Sequence, residues 1–135
     1  MIEFDWLSSP SIQRADDSLN SRNFSELAHF DMFYLNLDER GAVLMAAFEG
    51  PVSVELVNVL GGDKTHDTVK FYVTFNGVGH LSVNGWTHIA ASNFTLTERA
   101  GGGNDIKIEG DGFLVKFSCD YVSVKNLKTF KVGAF

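Results

Sequence analysis

The side chains best suited to chemistry in this sequence include four histidines, but their spacing matches no common site. They are His29, His66, His80 and His88. A metal site needs ligands that converge from one helix turn or from paired strands, and no two of these histidines are so placed. His66 stands beside Asp67, a pair that could orient a general base. We expect no metal, no cofactor and no catalytic histidine.

The single cysteine and the adjacent pairs of acidic residues also indicate a protein without catalytic activity. Cys119 is followed by an acidic residue, and a neighbouring carboxylate raises the pKa of a thiol and weakens it as a nucleophile. Asp16-Asp17 and Asp38-Glu39 are adjacent pairs, expected on a polar helix and in a turn, whereas a glycosidase needs two carboxyls facing each other across a cleft. These residues indicate a protein that works by binding.

The charge of the chain is negative and uneven. The 135 residues are 44% hydrophobic and suit one domain over residues 1–135. Residues 1–63 hold 11 acidic and 3 basic side chains (−8), and residues 64–135 hold 6 and 8 (+2), which gives the net −6. Such a surface disfavours nucleic acid and favours basic proteins. On charge alone, the expected partner contacts are Asp16, Asp17, Asp38, Glu39, Glu49 and Glu55.

Nothing in the sequence indicates export or a membrane. The opening MIEFDWLSSP is acidic and has no long apolar run, so no signal peptide is expected. No stretch has the length of a membrane span, and one cysteine cannot form an intrachain disulfide. We expect a cytoplasmic protein without membrane contact, either a monomer or a homodimer.

Residues 1–30 are expected to form a short helical segment packed on a β core of residues 31–126. Ser8-Ser9-Pro10 predicts a helix start, because serine caps helices and proline suits the first turn. The polar stretch that follows favours one or two short helices. Its apolar residues, expected to touch the core, are Ile12, Leu19, Phe24 and Leu27.

From residue 31 the apolar side chains alternate, which is typical of half-buried strands. A first strand would bury Phe33, Leu35 and Leu37, and pairing Leu37 with Ala42 and Leu35 with Leu44 brings the buried faces together. The run GAVLMAAFE predicts a central strand. Later strands follow the same alternation, with the inward residues predicted to be Val52, Val54, Leu56, Phe94, Leu96, Val122 and Val124, and with Ser123 and Lys125 pointing out.

Two glycine-containing turns predict hairpins. A three-residue loop at residues 76–78, or a bulge near Gly79, would place Val73 opposite Leu81 and leave His80 pointing outward. A two-residue turn at 111–112 would place Ile108 opposite Val115 directly. About eight such antiparallel strands, with one or two short N-terminal helices, predict a mainly β protein built as a β-sandwich or a strongly curved sheet.

Three stretches resemble the immunity protein 50 family of bacterial polymorphic toxin systems over about residues 24–126. They are AHFDMFYLNLDERGAVLMAAFE, DTVKFYVTFNGVGHLSVNGW and FTLTERAGGGNDIKIEGDGFLVKFSCDYVSV. The resemblance rests on Asp31 opening the first strand, on the apolar run ending at Trp86, and on the final strand pair. It departs from the family at His29-Phe30-Asp31, where the family pattern places the histidine directly before the aspartate.

The resemblance implies a cytoplasmic, non-enzymatic protein that binds and neutralises a cognate toxin. The acidic N-terminal half would suit a basic toxin such as a nuclease. Two other functions stay open on the residues alone. Surface aromatics, among them Tyr34, Tyr72 and Trp86, could serve a carbohydrate-binding or other small-ligand module, and a small enzyme could centre on His66 or His80.

Overall fold

The computed structural model describes residues 4–8, 19–85 and 91–132, and within them the chain is mainly β, as predicted. The strands are β1 (Asp31–Asp38), β2 (Val43–Pro51), β3 (Thr68–Asn76), β4 (Gly79–Asn84), β5 (Asn93–Glu98), β6 (Asn104–Gly110), β7 (Phe113–Cys119) and β8 (Tyr121–Phe130). The helices are α1 (Ser21–Ser25) and α2 (Val54–Val59), with 3-10 turns at Asp5–Ser8 and Glu26–His29.

The strands form two antiparallel four-stranded sheets. Sheet A has the order β1-β2-β3-β8, and sheet B has the order β4-β7-β6-β5. The apolar run after the first turn lies inside sheet A as β2, which confirms its prediction as a central strand. Among the described residues, no helix has the length and apolar character that crossing a membrane requires.

The two sheets are joined by a long ribbon of two strands that bends at Gly77. Strand β3 continues into β4 of the other sheet at Gly79, and β8 and β7 accompany it as partners. At the bend Gly77 has a φ of 72°, and the backbone N–H of Asp120 donates to the carbonyl of Asn76 at 2.7 Å. The hairpin predicted there is wrong, because β3 and β4 belong to different sheets and do not pair with each other. The irregularity near Gly79 lies instead in the pairing of β4 with β7, between Gly79 and Ser82.

The bend also changes the partners of β3. Val73 lies opposite Val124 of β8 rather than opposite Leu81, and Leu81 and Val83 are 38% and 46% exposed on β4. His80 is exposed, as predicted. A strand that continues into a second sheet leaves no local signal that would separate it from a hairpin, because both keep the same alternation.

The register of β1 on β2 differs from the prediction by two residues. Leu37 pairs with Leu44 instead of Ala42, and Leu35 pairs with Ala46, because the turn spans residues 39–42 and is braced by the Asp38 carboxylate, which accepts from the Arg40 backbone N–H at 3.1 Å. A bulge lies between Met32 and Tyr34. It turns Phe33 outward, so this side chain is 46% exposed rather than buried.

Val54 and Leu56, predicted to form a strand with Val52, lie in helix α2 instead, and Val52 lies in the connection before it. The hydroxyl of Ser53 accepts from the backbone N–H of Leu56 at 3.2 Å and caps the helix. Leu56 and Val57 are buried while Val54 is exposed. A run of alternating apolar residues this short fits one helix turn as well as a strand, and the serine cap decides between them.

The register and burial of sheet B agree closely with the predictions made from its sequence. Ile108 lies opposite Val115, as predicted, across a two-residue turn in which Gly112 has a φ of 74°. Phe94 and Leu96 are both buried, which confirms their inward orientation. The turn residues and the alternation are all local here, so the register could be predicted without knowledge of the rest of the fold.

The core between the sheets is largely aromatic. The Phe48 ring stacks on Phe71 with 5.6 Å between centroids and meets Phe94 of sheet B at 5.5 Å. Phe24 of α1 packs edge-on against Phe75 and Phe94. Leu19, Phe24 and Leu27 are buried, as predicted. Ile12 and the predicted helix start after Ser8 lie outside the described residues.

Candidate protein-binding surface

One face of sheet A turns away from the core, and the strand register arranges its side chains in four rows across β1, β2, β3 and β8. Neighbouring residues on each strand alternate between this face and the core. We call it the open face. Its rows are Asp31-Glu49-Lys70-Lys128, Tyr34-Ala47-Tyr72-Lys125, Asn36-Met45-Thr74-Ser123 and Asp38-Val43-Asn76-Tyr121.

The first row places two carboxylates beside two ammonium groups. Asp31 lies directly opposite Glu49, and Lys70 directly opposite Lys128. Like charges in this position destabilise a sheet. None of the four forms an ion pair with another part of the chain that the structure describes. The Lys70 ammonium instead lies 5.5 Å from the centroid of the Phe33 ring. The row therefore carries charge that a binding partner could neutralise.

The second row forms the centre of the open face. Tyr34 and Tyr72 lie on either side of Ala47, which is fully buried. An open groove of about 650 Å³ runs over this region, lined by Tyr34, Met45, Tyr72, Asn126, Leu127 and Lys128. Two of the three surface aromatics predicted from the sequence thus share one row, while Trp86 lies outside the described residues.

The third row contains a pair of buried hydroxyls. Thr74 and Ser123 lie directly opposite each other, each is 2% exposed, and neither hydroxyl has a hydrogen-bond partner among the described residues. Ser123 is on the outer face, as its alternation predicts, but neighbouring side chains bury it. Lys125 is exposed, as predicted. A buried hydroxyl without a partner costs free energy, so this row is under-satisfied in the isolated chain.

The acids predicted as partner contacts are placed as follows. Asp38 and Glu49 lie on the open face, in its fourth and first rows, and Glu39 lies in the adjoining turn. Glu55 is exposed on helix α2. The structure does not gather these four into one patch, because the strand from Val43 to Glu49 separates the two ends of the face by about 20 Å. Asp16 and Asp17 lie outside the described residues.

Charge counting along the sequence missed the basic half of the open face. The lysines come from the part of the chain with a positive balance, and they meet the acids only through the pairing of β2 with β3. The available signal was local: Lys70 alternates with Phe71 and Tyr72, and Lys125 alternates with Val124, so both lysines were predictable as outward residues. Their place beside Glu49 was not, because it depends on the register.

The proposed pairing of His66 with Asp67 as a base does not form. The Nδ1 of His66 lies 2.8 Å from the hydroxyl of Thr129. The Asp67 carboxylate accepts from the backbone N–H of Val132 at 3.1 Å and from the Thr68 hydroxyl at 2.9 Å. These bonds, that to Val132 foremost, hold the pKa of Asp67 below its ordinary value. The Asp67 carboxylate therefore binds the backbone just after the end of β8 instead of the His66 ring.

The other reactive side chains are scattered. His29 and His80 are exposed, and His88 lies outside the described residues. Burial, with smaller contributions from Asp120 and Asp105, raises the pKa of the Cys119 thiol to about 11. Within residues 4–8, 19–85 and 91–132, no three His, Cys, Asp or Glu side chains are grouped so as to hold a metal ion.

These features define a small protein of two packed antiparallel sheets with one open, charged face. The chain belongs to the immunity protein 50 family, whose model matches residues 21–130. The membership implies an immunity role. No curated protein matches the sequence. Among solved structures, the chain is similar to the crystal structure of an uncharacterized protein from Neisseria gonorrhoeae, at 11% identity and a TM-score of 0.47, over 73% of this chain and 91% of that one.

Proposed function

We propose that this chain is a non-catalytic immunity protein that binds and neutralises a cognate bacterial polymorphic toxin in the cytoplasm. The observation that carries the proposal is the family membership over residues 21–130. The toxin would be a basic protein, with a nuclease as one candidate, because the N-terminal half of the chain carries a balance of −8.

The acidic residues are the proposed contacts. Glu39, Glu49 and Glu55 form no ion pair with the described residues, so their charges are free to act on a partner. Asp38 pairs only with Arg40, at 3.5 Å, and both side chains are well exposed. Such a pair contributes little to stability, and a stronger cation can replace it. Asp16 and Asp17 complete the proposed set from the sequence alone.

A capture experiment followed by a growth assay tests the proposal. The purified protein is immobilised, lysate of the source organism is passed over it at low and high salt, and retained proteins are identified by mass spectrometry. Each retained protein is then expressed in a bacterial host with and without this chain. We expect one retained protein to arrest growth alone and to be harmless with this chain present. If no retained protein is toxic, or if toxicity is unchanged by co-expression, the proposal is wrong.

Charge reversal then tests the contacts. E39K and E55K together should weaken toxin binding, and the loss should shrink at high salt, where screened charges matter less. E98K/D111K is the matched control with the same change of four charges, because Glu98 and Asp111 are exposed acids of sheet B. Equal losses for E39K/E55K and for E98K/D111K would show that net charge, rather than these positions, governs binding.

A further inference from the structure

We propose that the open face of sheet A binds a second copy of this chain, related by a two-fold axis that runs between β2 and β3, parallel to the strands. The order of charges in the first row carries the inference. Across the sheet it is acid, acid, base, base. A two-fold rotation about this axis reverses the order, so each carboxylate meets an ammonium group of the other copy.

In this arrangement Asp31 faces Lys128 of the second copy, and Glu49 faces Lys70 of the second copy. By symmetry each contact occurs twice. Asp31 and Lys128, each paired in its row only with a like charge, then gain an opposite charge. Glu49 and Lys70, which already lie opposite each other, gain a second one. An unrelated partner would need a matching row of two bases and two acids, whereas a second copy of this chain always has that row.

The second row is complementary under the same rotation. Tyr34 faces Lys125 of the second copy, which allows a cation–π contact. Ala47 lies opposite Tyr72 of the second copy but is fully buried between its own Tyr34 and Tyr72, so the tyrosine rings form the contact surface of this row. Both edge strands also bulge at the same level, between the first and second rows. The exposed Phe33 on the β1 bulge therefore comes opposite residues 126–127 on the β8 side.

The third and fourth rows are compatible with the same rotation. Asn36 lies opposite Ser123 of the second copy, which is only 2% exposed, so this part of the interface would be a packing contact. Met45 lies over Thr74 of the second copy. In the fourth row the phenol of Tyr121, a residue that is 51% exposed, comes opposite Asp38 and can donate a hydrogen bond to it.

The size of the face sets the expected strength. Four strands spaced ~4.8 Å apart and eight residues long cover about 500 Å² on each copy. The total of about 1,000 Å² is near the lower bound for a specific interface, so we expect a weak dimer. This inference does not rest on the proposed function. The dimer would cover Asp38 and Glu49, so a toxin would compete with the second copy for these two acids, whereas Glu39 in the turn and Glu55 on α2 lie outside the four rows.

Sedimentation velocity of the purified full chain tests the proposal, over about 5 to about 500 μM, where a weak dimer forms by mass action. The wild type should pass from the 14.9 kDa monomer to twice that mass. K70E/K128E makes the first row wholly acidic, and D31K/E49K makes it wholly basic. Each variant alone should dimerise at least about tenfold more weakly, or about 1.4 kcal/mol. Mixed together, the two should form a heterodimer, because their rows are complementary.

The control is K107E/K116E, which makes the same charge change on the directly paired lysines of sheet B. It should dimerise like the wild type, and circular dichroism confirms that each variant is folded. Three results would overturn the proposal. They are a monomeric wild type at the highest concentration, an equal loss for K107E/K116E and K70E/K128E, and a monomeric mixture of the two charge-changed variants.

Discussion

Replacing Gly77 by alanine tests the bend that joins the two sheets. Gly77 has a φ of 72°, a conformation that costs an L-residue about 1–2 kcal/mol. A Cβ at this position would also overlap the carboxylate of Asp120. This exposed side chain must turn aside, and holding it away from its preferred rotamer costs about 0.5–1.5 kcal/mol. We therefore expect G77A to lower the free energy of unfolding by about 2–3 kcal/mol.

Urea unfolding followed by circular dichroism measures this loss, with two glycine variants as references. Gly61 has a φ of 79° and open space around it, so G61A should show the backbone strain alone, about 1–2 kcal/mol. Gly101 has open space and no positive φ, so G101A should be neutral or stabilising by about 0.4–1 kcal/mol. The difference between G77A and G61A isolates the overlap with Asp120.

A double-mutant cycle locates the overlap. D120A removes the carboxylate that the new Cβ would meet, so in the D120A background G77A should cost less, by about 1 kcal/mol. Equal losses for G77A and G61A, together with no coupling to D120A, would refute the close contact at the bend. The backbone hydrogen bond from Asp120 to Asn76 is unaffected by D120A, so the coupling reports on the side chain.

The remaining predictions concern single side chains. Cys119, with its raised pKa of about 11, should react with Ellman's reagent near pH 8 only after denaturation, and rapid reaction of the folded protein would contradict its burial. Asp67 has a lowered pKa in the folded state, so its contribution to stability is present above its ordinary pKa and is lost as the pH falls through the folded value. D67N should therefore flatten the acid side of the melting-temperature profile, and an unchanged profile would show that the bonds to Val132 and Thr68 are not formed. T74V should raise the free energy of unfolding by roughly 1 kcal/mol, because it replaces a buried hydroxyl without a partner among the described residues, and a loss instead would reveal a hydrogen bond at this position.

How far the fold could be predicted depends on how local its determinants are. The β6–β7 hairpin is specified by its turn at residues 111–112 and by alternation on either side, and its register was predictable residue by residue. The bend at Gly77 and helix α2 were not predictable, because an Asn-Gly pair and a short apolar run each fit two conformations. The shift of β1 by two residues arose from a turn whose length the sequence does not specify.

The candidate surface was less predictable than the fold. Individual outward residues, such as Lys125, follow from alternation within one strand. The row formed by Asp31, Glu49, Lys70 and Lys128 depends on three registers at once, and an error of two residues in any of them removes the charge pattern. The acids Asp38 and Glu49 were selected by charge alone, and whether they contact a partner stays a prediction.

The pairing of β3 with β8 has a consequence for how this protein is produced in a cell. Asn76 pairs with Tyr121 and Thr68 with Phe130, separations of 121 − 76 = 45 and 130 − 68 = 62 residues. Sheets that depend on such distant pairings fold slowly, because a long loop must close before the contacts that stabilise it exist. Until β8 has been synthesised, β3 has only β2 beside it, and the open face is incomplete. The open face can therefore form only after residue 130 has been synthesised, so a chain that is still being translated cannot present this surface to a partner.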